Sequence, residues 1–349
     1  MAGPRAQLVP VAPVTVNGKG DGVSGMPADQ GILVTGLPRS GTSWIGKMLQ
    51  SGGEVVYVNE PMNPQRPPGH SPGVLNAEIT HRYQYICPDN DERWATAFSD
   101  TLRLRYHLVA ELQRNRALAD LARLAKYSTA FTAGRILRRR ALIDDPFATL
   151  SAPWFARRLG VRVVVCVRHP VSFVGSWRKL GWQANPHELL DQPLLMRDLL
   201  GPFASELKAT ADSTDPVAKA ATLWRVTYAA LGDLNEREPG LLHMQRYEDL
   251  AKDPEGGFRD LYAACGLTWT DRARQRIISA TTDHGRAETS HAWSLRGGLS
   301  RTAFRPMDSR AALGSFKDRL SEQEIEQVRE MTADVAARYY EAREGATPA

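Results

Sequence analysis

Apolar positions in this chain alternate between two rhythms, and the changes of rhythm mark its elements. Ile32 to Thr35 form a short apolar run with β-branched residues, which predicts a buried strand. After a glycine-rich break, Trp44, Ile45, Met48 and Leu49 recur at helical spacing. Glu54–Val58 reads as a second strand behind Gly52-Gly53, and Pro61 to Gly73 as a proline-rich loop. From Asp91 to about Arg140 the pattern is helical, with stripes at Leu102, Tyr106, Val109 and Leu112, then Leu118, Leu121 and Leu124. Ala141-Leu142-Ile143 is a short candidate strand, followed by a helix around Ser151–Leu159 with Pro153 in its first turn. Val161–Val167 is continuous and β-branched, the pattern of a strand buried on both faces, and a helix begins at Pro170. Gly181–Asp215 predicts loops and short helices. Further helices are expected at Ala218–Glu236, Phe258–Cys265, Asp271–Ala280 and Ser321–Tyr340, with a strand at Leu241–Arg246.

Strands alternating with helices predict the α/β class, a central parallel sheet flanked by helices. Residues 1–30, rich in Pro, Gly and Val without periodicity, read as a flexible tail. Residues 31–342 then form a single domain, and 343–349 a second tail. Residues 80–140 read as a helical insertion near the acceptor site. The Gly-, Arg- and Ser-rich stretch Thr281–Ser315 is a long loop, either functional or mobile.

Composition narrows the function classes only a little. The chain has 349 residues, 42% of them hydrophobic and 24% charged, enough to bury a sizeable core. A net charge of +5 suits an anionic small ligand or an acidic acceptor. No aromatic-plus-basic RNA signature accompanies it, so nucleic acid is not an expected partner. Cys87, Cys166 and Cys265 are odd in number and lack metal-type spacing, which predicts reduced thiols and a cytoplasmic protein. No apolar stretch approaches the ~18 residues of a membrane span. Arginines including Arg103, Arg114, Arg116, Arg138, Arg139 and Arg140 read as solvated helix faces, with an anionic or glycan acceptor surface as the sharper alternative.

The chemistry centres on Gly31 to Gln50, GILVTGLPRSGTSWIGKMLQ, in the order strand, glycine-rich loop, helix. A helix N-terminus offers unpaired N–H groups and partial positive charge, so an anion is favoured there. Ser40, Thr42 and Ser43 add hydroxyls and Arg39 a cationic fork. Gly36 and Gly41 have the spacing of the nucleotide-hydrolase loop, but Thr42 stands where that loop needs its lysine. Ligands of parallel sheets bind beyond the carboxyl ends of the strands. Arg39, Glu60, Arg168 and Tyr247 each follow a predicted strand.

Pro38-Arg39-Ser40-Gly41-Thr42-Ser43-Trp44 resembles the 5′-phosphosulfate loop of the sulfotransferase family, P-[KR]-S-G-[TS]-[TS]-[WF]. Arg168 with Ser176 eight positions later resembles that family's 3′-phosphate motif. Arg246-Tyr247-Glu248-Asp249-Leu250 is similar to its Y-E-D-L segment, whose tyrosine lies near the adenine. A looser match at 310–317 resembles the late loop that adds donors to the 3′-phosphate, and carries Arg310 and Gly314. The resemblance spans about Ile32 to Lys317, and its details are closest to the bacterial and carbohydrate-type branch. It implies a P-loop nucleotide-hydrolase-like sulfotransferase fold and 3′-phosphoadenosine 5′-phosphosulfate (PAPS) as sulfuryl donor, with PAP as product and no metal. The acceptor would be a glycan, glycolipid or small-molecule hydroxyl, or an amine.

The same resemblance assigns Arg39 to the transferred group and Glu60 to the catalytic base, since Asn59-Glu60-Pro61 resembles the Glu-Pro segment of glycan sulfotransferases. The small-molecule branch uses histidine instead, which makes His81 and His107 the rivals. That branch also carries lysine where Arg39 stands. Asp144 occupies a position where many relatives have a basic residue before Asp-Pro. Two readings from other classes remain open: a nucleotide kinase with a degenerate loop, and a non-catalytic PAP-binding protein.

Overall fold

A computed structural model describes residues 31–64, 78–114, 118–282 and 319–341. The expected tails and most of Thr281–Ser315 lie outside these residues, as do Arg310 and Gly314. Five parallel strands make one sheet: β1 (Gly31–Thr35), β2 (Val55–Asn59), β3 (Arg140–Asp144), β4 (Arg162–Val167) and β5 (His243–Arg246), in the order β2-β3-β1-β4-β5. β1 is wholly buried, as an apolar run with no alternation should be in a sheet covered on both faces. Its period-2 side chains split between two cores. Ile32 and Val34 pack with Leu142, Val164 and Cys166, under α1 (Thr42–Gln50). Leu33 faces the opposite layer with Val58, Ile143 and Val165.

Helices fill both layers. α2 (Glu92–Leu102), α3 (Leu108–Arg114) and α4 (Leu118–Ile136) connect β2 to β3. α5 (Ala152–Leu159) precedes β4 and α6 (Pro170–Leu180) follows it. The expected short helices are α7 (His187–Leu190), α8 (Pro193–Leu195) and α9 (Ala204–Ala211). α10 (Pro216–Arg237) leads to β5, which is shorter than the apolar pattern suggested, because Leu241 and Leu242 lie before the ladder begins. α11 (Tyr247–Lys252) is a turn of helix that the sequence pattern did not single out. α12 (Pro254–Ala264), α13 (Asp271–Thr282) and α14 (Glu322–Tyr340) complete the chain, α14 beginning with a capping box from Ser321 and Glu324. All three cysteines are buried and free. Among the described residues no helix is long and apolar enough to cross a membrane.

The topology decides where ligands can bind. β1 is flanked by β3 on one side and β4 on the other, so the chain winds outward in both directions from it. That reversal opens a crevice at the carboxyl end of β1. The segments around it are 36–41 after β1, Asn59-Glu60 at the end of β2, Asp144-Asp145 at the end of β3, and Arg168 after β4.

Candidate active site

The loop from Gly36 to Gly41 is held by its neighbours. Gly36 has φ 138°, and a Cβ there would stand 2.4 Å from the carbonyl oxygen of Cys166, so only glycine fits. Gly41 (φ 104°) caps α1 without any side-chain hydrogen bond, and a Cβ on it would stand 2.5 Å from Cδ2 of Tyr247. The N-terminus of α1 is therefore uncapped and approached by an aromatic ring. Tyr228 fastens the loop from below: its hydroxyl donates to the Cys166 carbonyl (2.8 Å), accepts from the Leu37 amide (3.2 Å) and meets Ser40 Oγ at 3.1 Å. Trp177 Nε1 donates to the Pro38 carbonyl at 2.9 Å. Ser40 thus spends its hydroxyl on the scaffold rather than on the crevice. Neither Tyr228 nor Trp177 carries a motif, so only the folded chain shows their part.

Arg39 and Arg168 come together over this loop. Arg168 Nη1 donates to the Arg39 carbonyl at 2.9 Å. Arg168 also lies over the Tyr247 ring, 4.9 Å from its centroid, while its buried Nε has no partner. Trp224 Nε1 ties down the Arg168 carbonyl at 2.8 Å. The Arg39 Nε donates to Ser176 Oγ at 3.3 Å, so Ser176, expected beside Arg168, contacts Arg39 in the folded chain. Burial, then Arg168, then Arg319 hold the Arg39 guanidinium below its ordinary pKa, with Tyr247 opposing. Arg319 stands two residues past the late-loop motif and was not singled out from the sequence. Like charges crowded with buried, unfilled donors favour an anion strongly.

Trp44 is buried in an aromatic group, 5.2 Å from Tyr247 and 5.1 Å from Phe258 between ring centroids. It sets the position of Tyr247. Thr42 is also buried, and Ser43 only half so. Glu248 accepts from the His169 amide (2.9 Å) and the Tyr340 hydroxyl (3.0 Å), fixing the β4–α6 corner.

On the β2 side, the Glu60 amide donates to the Asp144 carbonyl at 2.7 Å, continuing the sheet one residue past the strand. Glu60 (φ 48°), like Arg39 (φ 80°), has left-handed backbone, an energetic cost typical of functional positions. Its Oε2 accepts from Asn63 Nδ2 at 2.8 Å. Asp144 is fully buried and accepts from the Tyr57 hydroxyl. Burial pushes its carboxyl up to about 6, with the Tyr57 hydrogen bond opposing and the Glu60 charge adding. The Lys47 ammonium sits 3.3 Å from the Tyr57 ring centroid, and burial lowers it to about 8. The rival histidines pair outside any such cluster: His81 Nδ1 with Thr80 Oγ1 at 2.8 Å, and His107 Nε2 with Asp100 at 2.9 Å on the surface.

Residues 31–271 match the family model described as "Sulfotransferase family". No curated protein matches the chain. Among solved structures, it is similar to the sulfotransferase domain from the curacin biosynthetic pathway, at 14% identity over 88% of this chain and 98% of that one, with a TM-score of 0.43. Sulfotransferase STF9 from Mycobacterium avium is 13% identical over 90% of this chain and 78% of its own, TM-score 0.42. Retinol dehydratase in a complex with retinol and PAP is 11% identical over 90% and 83%, TM-score 0.39.

Proposed function

The chain belongs to the sulfotransferase family, a family of PAPS-dependent enzymes, and from that premise we propose that it transfers the sulfuryl group of PAPS to an acceptor hydroxyl with Glu60 as base. The sulfotransferase domain would span 31–342. One observation carries the reading: two adjacent arginines, one with an unpartnered buried nitrogen, stand over an uncapped helix N-terminus. A doubly anionic group satisfies those donors and relieves the repulsion between the charges.

The residues present fit the nucleotide. Arg168 would hold the 3′-phosphate, with Ser176 adding a hydroxyl, and the backbone amides of 41–44 the 5′-side group. Tyr247, its ring fixed by Trp44 and flanked by Arg168, offers a face for the adenine. When bound, PAPS supplies an electrophilic sulfur and a phosphate leaving group. Arg39 stabilises negative charge that grows on the leaving side, a role that acts mainly in the transition state. Glu60 takes the acceptor proton at a carboxylate oxygen, and Asn63 holds the other oxygen in place. Its position at the next strand end but one from the loop supports this role. The acceptor class, whether glycan, glycolipid or small metabolite, is read by labelled-PAPS transfer across such a panel, followed by mass spectrometry. A sulfated hydroxyl product is expected. Tight PAP binding with no transfer to any hydroxyl or amine would make the chain a binding protein.

A further inference from the structure

The α3–α4 hairpin carries a surface that the sulfuryl-transfer chemistry does not use. Among the described residues, five of the six large exposed hydrophobic side chains lie on it or in the turn after it: Val109, Leu112, Leu121, Ile136 and Leu137. Ile136 is 74% exposed and Val109 71%, far beyond a grazing contact. They are not scattered around α4. Leu121, Ala125, Thr132 and Ile136 fall on one helical stripe, and all four are exposed. The buried side of the same helix is a different stripe, with Leu124 and Phe131, and with Gly134 set so close to β2 that a Cβ would meet Val56 at 2.3 Å. α4 therefore packs one apolar face on the sheet and carries Leu121, Ala125 and Ile136, with the small polar Ser128 and Thr132 between them, on a face turned away from it.

Charge is segregated onto the same region. Residues 103–140 hold ten Lys and Arg against two Asp and Glu, in a chain whose net charge is only +5. Lys126, Arg135, Arg138 and Arg139 are exposed. None of these four makes an ion pair among the described residues, whereas Arg105 is drawn to Asp100 at 3.4 Å. Cations flanking an aliphatic stripe on a helix match a surface that is apolar inside and anionic at its face. A sulfated or carboxylated glycan would use the arginines but gain nothing from Ile136 or Val109. We propose that the α3–α4 hairpin docks on anionic lipid bilayers, the aliphatic stripe entering the headgroup boundary and the unpaired cations meeting lipid phosphates.

Vesicle flotation tests this with the full chain. The probes are phosphatidylcholine vesicles and vesicles of phosphatidylcholine and phosphatidylglycerol in two-to-one ratio. The wild type should float with the anionic vesicles and much less with the neutral ones, and high salt should release it. Leu121→Ser with Ile136→Ser, and separately Arg138→Glu with Arg139→Glu, should each lower vesicle partition by at least about tenfold. Far-UV circular dichroism and PAP affinity should stay unchanged, since none of these residues lies in the crevice. Three results would overturn the proposal: no anionic-vesicle binding, binding that neither pair alters, or heparin retention without vesicle binding, which would assign the surface to a polyanionic glycan. A dimer dispersed by the serine pair, in a chain that ignores vesicles, would assign it to a second copy.

Discussion

Arg168 has one guanidinium nitrogen bonded to a carbonyl and another buried with nothing to bond, a state that folding alone does not favour. If a phosphate completes it, Arg168→Ala should weaken PAP binding by about 2–4 kcal/mol, the cost of removing one side of a desolvated charged contact. Calorimetry on the folded variant decides it, and unchanged affinity would remove Arg168 from the site. Asp144 presents the converse case, a buried carboxyl raised to about 6. The sign follows from linkage: between its unfolded value near 3.9 and about 6, the native chain holds a proton that the unfolded chain has lost. Its contribution thus becomes more favourable as pH falls through 6, and at pH 8 the buried charge is a cost. Asp144→Asn keeps an acceptor for Tyr57 and removes that cost, so its Tm should exceed wild type at pH 8 and converge with it by about pH 4. Thermal scans at the two pH values check this, and a variant that is less stable at pH 8 would refute it.

The β1–loop–α1 unit shows which parts of a site are written in local sequence and which are not. Its strand, its glycines and its helix follow from apolar spacing and backbone freedom, and the structure has all three in place. The direction of each hydroxyl does not follow. Ser40 turns to Tyr228, which lies 188 residues away, and Trp44 turns to Tyr247 and Phe258. Partners at such separations carry no sequence signal of their own. Gly41 gives the test at this scale: Gly41→Ala forces a side chain into left-handed backbone and onto the Tyr247 ring. PAP affinity should fall at least about tenfold, with far-UV circular dichroism unchanged, because the strain moves Tyr247 and the loop together. Full affinity in that variant would mean that the ring and loop need not meet.

Across the whole molecule, alternating strands and helices made the parallel α/β class legible, and strand ends made most of the crevice legible with it. Strand order was not legible, since a parallel ladder pairs segments far apart in the chain: β1 lies between β3 and β4, not beside β2. That order puts Asp144 between the loop and Glu60, a neighbour relation no spacing could reveal. In the proposed reaction this crevice moves a sulfuryl group while Glu60 takes the acceptor proton. The most direct test is label transfer from PAPS to a hydroxyl acceptor by wild type and Glu60→Gln, with PAP affinity measured on both. Wild type should label the acceptor, and the variant should turn over at least ~100-fold more slowly at nearly unchanged PAP affinity. Near-normal turnover in Glu60→Gln, with activity lost instead in His81→Ala or His107→Ala, would contradict it.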